Sequence, residues 1–269
     1  MRNLFYPQVV IVHKALRFLI IMTCLFLLAC HQTKSTQVDT VKKPDLKKAA
    51  LFNVQLGLGY LKQGDRPRAK KKLLLALEQE PNSPDVNAAM AYYNEQTNEL
   101  EKAKNYYLKA ISLSGNDGAQ LNNYGTFLCR QGEYKKAEGY FLKAVKDEHY
   151  IHTAGAYENA GLCAQAIPDL NKAKHYFTTA LNQDPTRKVS LYELAKIESK
   201  EGHDTEALNL IQKNPELVLN DKIFLALAKE IAEKAGKFDL AAEYENNFNK
   251  IDPHTNNSGV NNEYSASNG

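Results

Sequence analysis

From Ala50 onward, small and apolar positions return every 34 residues. Placing the first position at Ala50, Pro84, Gly118, Ala154, Lys188 and Lys222 gives six units, with only His152 and Thr153 inserted between the third and fourth. In that frame place 20 is alanine each time: Ala69, Ala103, Ala137, Ala173, Ala207 and Ala241. Place 8 is Gly57, Ala91, Gly125, Gly161 and Ala195, and breaks only at Lys229. Place 24 carries a larger side chain in five units, Leu73, Tyr107, Phe141, Phe177 and Ile211. Gly64, Gly132, Gly202 and Gly236 mark the turn inside four units, and Pro81, Pro185 and Pro253 close three. The pattern predicts two antiparallel helices per unit. A small residue lets the two backbones meet, the larger one fills the adjoining gap, and a turn glycine permits positive φ at the end of the first helix.

The period and the pattern are those of the tetratricopeptide repeat (TPR). The expected fold is therefore all-α, a right-handed superhelix of six helix-turn-helix units over 50–83, 84–117, 118–151, 154–187, 188–221 and 222–253. Each unit buries its face only against its neighbours. The sixth unit departs most, with Lys229, Glu245 and Phe248 where small or apolar residues are expected; a polar terminal cap accounts for it. In the fifth unit Asn214-Pro215 falls in the second helix, which should be short or broken because proline removes a helical hydrogen bond.

The leader has a different pattern. Residues 1–29 hold Arg2, Lys14 and Arg17, no acid, and an uncharged run from Phe18 to Ala29. Those twelve residues match the apolar core of an export signal and fall short of the ~20 needed to span a bilayer. Leu27-Leu28-Ala29-Cys30 then resembles a bacterial lipobox, in which the cysteine is lipidated and becomes the first residue of the mature chain. A diacylglyceryl and N-acyl lipid on Cys30 is the expected modification, and no other cofactor is expected. His31 in the following place, rather than aspartate, implies sorting to the outer membrane, with the lipid in its inner leaflet and the protein facing the periplasm. Residues 30–49 read as the lipidated cysteine and a flexible tether, and 254–269 as a polar, disordered tail.

Composition narrows the function classes. The chain has 269 residues, 34 Lys+Arg against 31 Asp+Glu, and four cysteines. Cysteine is too sparse for a disulfide scaffold. The charge excess lies in the leader, so the mature chain is formally neutral and carries no nucleic-acid footprint. No G-x-S-x-G, H-E-x-x-H or phosphate-cradling glycine loop occurs. His149 and His152 fall at a junction between units and read as a solvated or packed pair rather than a metal site. A binding module is expected, with no catalytic residue, no metal and no small-molecule substrate.

In such a superhelix, places 2, 5, 9 and 12 of each first helix face the concave surface. In the first unit these are Leu51, Val54, Leu58 and Leu61, all apolar, which suggests a groove for a partner's segment or a face covered by the tether. Cys129 and Cys163 sit on first helices of adjacent units; a disulfide feasible in an oxidising periplasm, or two small buried thiols, would fit. Asn123 and Asn159 share one place in successive units, suited either to a bound backbone or to an internal hydrogen bond.

The third and fourth units read LNNYGTFLCRQGEYKKAEGYFLKA, from Leu121, and YENAGLCAQAIPDLNKAKHYFTTAL, from Tyr157. With the lipobox, they resemble the type IV pilus biogenesis and stability lipoproteins of Gram-negative bacteria, a pilotin-type TPR family. The strongest motifs are Asn122-Asn123-Tyr124-Gly125 and Asn159-Ala160-Gly161-Leu162-Cys163, in which Asn122, Asn123, Tyr124 and Asn159 are candidate partner-binding residues. Pro168 stands where the family has a turn glycine. The resemblance implies a lipid-anchored adaptor that binds the pilus secretin subunit and helps localise or multimerise it in the outer membrane. The alternative is a periplasmic TPR lipoprotein that regulates cell-wall hydrolases or other envelope complexes.

Overall fold

The computed structural model describes residues 45–167 and 169–251. The leader, the lipobox cysteine Cys30, Pro168 and the 254–269 tail lie outside the described residues. Asp45 onward is a compact unit with its own core. The described residues form thirteen α-helices and no strand: α1 (Leu46–Lys62), α2 (Arg66–Gln79), α3 (Pro84–Gln96), α4 (Leu100–Ser114), α5 (Gly118–Arg130), α6 (Tyr134–Ala144), α7 (Thr153–Gln165), α8 (Leu170–Gln183), α9 (Lys188–Lys200), α10 (Asp204–Gln212), α11 (Pro215–Val218), α12 (Lys222–Lys234) and α13 (Phe238–Lys250). They pair in order as six units, the fifth being α9 with α10 and the one-turn α11.

Local chemistry sets the helix ends. Side chains of Asp45, Asp65, Ser83, Asp117, Asp169 and Asp221 accept from backbone N–H groups in the first turns of α1, α2, α3, α5, α8 and α12. Asp45 begins α1 at Leu46, so the last four residues assigned to the tether, Leu46 to Ala49, are helical instead. A capped first turn joined to an apolar-periodic helix outweighs the polar composition around it. In the second unit no glycine marks the turn; Asn98 takes the left-handed conformation there, with φ of 62°. Asparagine tolerates this region through local hydrogen bonding. Pro215 ends α10 after nine residues, and the chain resumes as α11.

The small-to-large pairing explains why the units close tightly. A Cβ added at Gly57 would lie 2.6 Å from Leu73, at Gly125 2.8 Å from Phe141, and at Gly161 2.7 Å from Phe177. Leu73, Phe141 and Phe177 are fully buried, as are the place-20 alanines of the first five units. The sixth unit replaces this fit with charge: Lys229 Nζ donates to Glu245 Oε1 at 2.8 Å, across the same two places of α12 and α13. Three apolar clusters run along the array, centred on the first unit with α3, on units two to four, and on units five and six.

Candidate functional site

The first helices, α1, α3, α5, α7, α9 and α12, stack side by side, and their facing edges carry a ladder of polar contacts between units. Between α3 and α5, Arg130 Nη2 donates to Glu95 Oε2 at 2.8 Å, and Gln120 Nε2 donates to Asp85 Oδ1 at 3.1 Å. The Tyr107 hydroxyl also donates to Glu95. Burial, with the Glu95 carboxylate adding to it, pushes that phenol well above its ordinary pKa, so it stays a donor at neutral pH. Between α5 and α7, Asn159 Nδ2 donates to Asn122 Oδ1 at 3.0 Å. Between α7 and α9, the buried Glu158 pairs with Arg187 and accepts from Ser190 N and Oγ, at 3.0 and 2.7 Å, while Gln165 donates to Glu193. Such satisfied polar groups fix the angle between successive units.

Several expected binding residues prove to be structural. Val54 is buried against Val86, Ala89 and Met90, and Leu58 and Leu61 pack on the same cluster. The open four-residue stripe is thus corrected. Among the described residues no helix precedes α1, and these side chains complete the core against α3. Leu51 alone of the four stays well exposed, at 47%, and it joins Phe52 at 60% and Leu46 at 50% in an apolar rim at the start of α1. Asn122 is buried with its carbonyl occupied by Asn159, and Tyr124 is buried against the Tyr140 ring at a centroid distance of 4.8 Å. Neither is a contact surface. Asn123 and Asn159 remain half-exposed on α5 and α7.

Cys129 of α5 and Cys163 of α7 are joined by a disulfide, with Cα atoms 5.7 Å apart. Glu198, Glu201 and His203 gather their ligand atoms within 4.8 Å of one another. The Lys174 ammonium already sits on both carboxylates, at 2.9 and 2.7 Å, and offsets part of their charge. Sequence reasoning missed the shallow groove of about 490 Å³ on the C-terminal units, lined by Tyr192, Lys222, Ile223, Leu227 and Phe248. Its only sequence signal was Phe248 standing at an unexpected place; the ring lies 5.1 Å from Lys222 Nζ. No helix among the described residues is long and apolar enough to cross a membrane.

The tetratricopeptide-repeat family model matches residues 84–117. The type IV pilus assembly protein PilF of Pseudomonas aeruginosa is 35% identical over 148 residues, which span 55% of this chain and 59% of that protein. A solved structure of Pseudomonas aeruginosa PilF aligns with a TM-score of 0.63 at 30% identity, covering 75% of this chain and 90% of that one. The chain belongs to the type IV pilus biogenesis family of TPR proteins. The crystal structure of PilW, described as a widely conserved type IV pilus biogenesis factor, aligns with a TM-score of 0.61 at 26% identity, over 73% of this chain and 90% of that one. An uncharacterised protein of Haemophilus influenzae is 38% identical over 123 residues, covering 46% of this chain and 69% of its own length. The aligned stretch spans under two thirds of the curated PilF sequence. The comparisons therefore fix the family and the repeat scaffold of this TPR protein.

Proposed function

We propose that this protein is a lipid-anchored, non-enzymatic TPR adaptor that binds the secretin subunit of the type IV pilus machinery and promotes its assembly in the outer membrane. Membership of the pilus biogenesis family carries the reading. The lipobox ending at Cys30 supports the anchor and the periplasmic side of the outer membrane. The apolar rim of Leu46, Leu51 and Phe52 on α1 supports a docking edge for a partner's apolar segment. A solenoid locked by inter-unit bonds suits this role, because a preorganised surface loses little entropy on binding.

The test is deletion followed by complementation. Cells lacking the protein should lose surface pili and secretin multimers while keeping their shape. Altered cell shape with intact secretin rings would instead support the cell-wall adaptor. In a pulldown, Leu51→Ser with Phe52→Ser should abolish secretin capture with helical content unchanged; undiminished capture would overturn the rim as the docking edge.

A further inference from the structure

The formal neutrality of the mature chain conceals a strong polarity. Residues 45–83 carry eight Lys and Arg against four Asp and Glu, whereas residues 84–251 carry twenty against twenty-four. Five of the first unit's eight basic residues are concentrated on one short helix. From Arg66 to Leu77, α2 holds Arg66, Arg68, Lys70, Lys71 and Lys72 and no acid. Across the rest of the array about half of the bases are paired with carboxylates, as in Arg130–Glu95, Lys172–Glu138 and Lys188–Asp221. In the first unit only Lys48 and Arg68 hold ion pairs within 4.0 Å among the described residues, with Asp45 and Asp65.

The same exposed face of α2 carries apolar side chains. Leu74 and Leu75 are 46% and 38% exposed, and each stands one turn beyond a lysine, Lys70 and Lys71. The place-20 alanine Ala69, with Leu73 and Ala76, fills the opposite, buried face, so the leucines are surplus to the core. A helix that sets exposed leucines one turn beyond exposed lysines on an outward face has the chemistry of an interfacial helix. This helix belongs to the unit nearest in sequence to Cys30.

We propose that the outward face of α2 rests on an anionic phospholipid surface, with Arg66, Lys70 and Lys71 at the headgroups and Leu74 and Leu75 dipping among the upper acyl carbons. Charge complementarity commits the occupant: a basic, leucine-bearing face meets a negatively charged, apolar-cored surface, and each Lys or Arg near such a surface adds to attraction. The inference rests on the lipid-anchored reading for its setting, since a tether from Cys30 would hold this unit at the bilayer. The acidic remainder of the array would then be held away from it.

The test floats the 45–269 fragment with vesicles of phosphatidylcholine alone or containing about one third phosphatidylglycerol. Binding to the anionic vesicles should be at least about tenfold stronger and fall steeply with salt. Arg66→Glu with Lys70→Glu and Lys71→Glu should reduce it to the neutral-vesicle level. Leu74→Ser with Leu75→Ser should remove the part that survives high salt. The control Lys135→Glu with Lys143→Glu, on exposed α6 positions, should leave binding unchanged. Equal binding to both vesicles, insensitivity to the α2 reversal, or capture of soluble polyglutamate without vesicle binding would overturn the proposal. The fragment lacks Cys30, so its result is independent of lipidation, which palmitate labelling of the full chain reads separately.

Discussion

The fourth and sixth units solve the same packing problem by opposite means. In the fourth, Gly161 receives the Phe177 ring so closely that even a methyl group would collide with it. In the sixth, the equivalent places hold Lys229 and Glu245, joined by a 2.8 Å hydrogen bond. The fourth unit has a neighbour on both sides, so its helix pair must approach closely enough to present a continuous apolar face to each. Among the described residues the sixth packs against the fifth alone, and its Lys229–Glu245 pair is partly exposed to water. An ion pair there keeps the two helices together without offering an apolar surface that would recruit another chain. Charge takes the place of steric fit at these two positions of the last described repeat.

That contrast is most sharply tested by removing the large partner. Phe177→Ala should cost about 3–5 kcal/mol, read from the urea midpoint, because the glycine opposite cannot fill the cavity. Next in size, Cys129→Ser with Cys163→Ser should cost ~3–4 kcal/mol by closing no loop in the unfolded chain. Reduced wild-type protein should match this variant, while Phe177→Ala should lose further stability on reduction. Glu158→Ala removes the ion pair to Arg187 and leaves the Ser190 N–H without its carboxylate acceptor; partial exposure of Arg187 holds the expected cost to ~2 kcal/mol. Lys229→Ala should shift the urea midpoint least of all, since its pair with Glu245 is largely solvated. A loss at Lys229 as large as that at Phe177 would show that the ion pair is structural in the same sense as the steric one.

The period, the alanines and the small-to-large places were legible because they are local and repeat at fixed spacing. The break at Pro215 was legible for the same reason, as proline acts on its own helix. The concave surface was less so. Places 2, 5, 9 and 12 mark a face of one helix, but whether Val54 faces solvent depends on α3, which packs against it. Asn122 and Asn159 illustrate the limit of equating register with contact. Asn123 and Asn159 share a place in the repeat, yet the stagger between α5 and α7 brings Asn159 to Asn122 instead. The Glu158 network was invisible because Arg187 ends the same unit 29 residues later and Ser190 lies in the following unit's first helix, and no short motif joins them. Asn98 stood outside the glycine pattern because asparagine reaches the left-handed region by a different chemistry. The charge polarity of the first unit was hidden by summing over the whole chain.

The Cys129–Cys163 bond spans a sequence separation of 34 residues, the length of one repeat. Its mechanical meaning differs from its thermodynamic one. A polypeptide pulled from its two ends lengthens by about 3.3–3.6 Å for every residue released. The cross-link turns one repeat's worth of chain into a closed ring that load bypasses, so about 110 Å of contour is withheld from extension. Two neighbouring first helices then transmit tension through a covalent bond rather than through packing, and the centre of the array becomes the part of the molecule least able to yield.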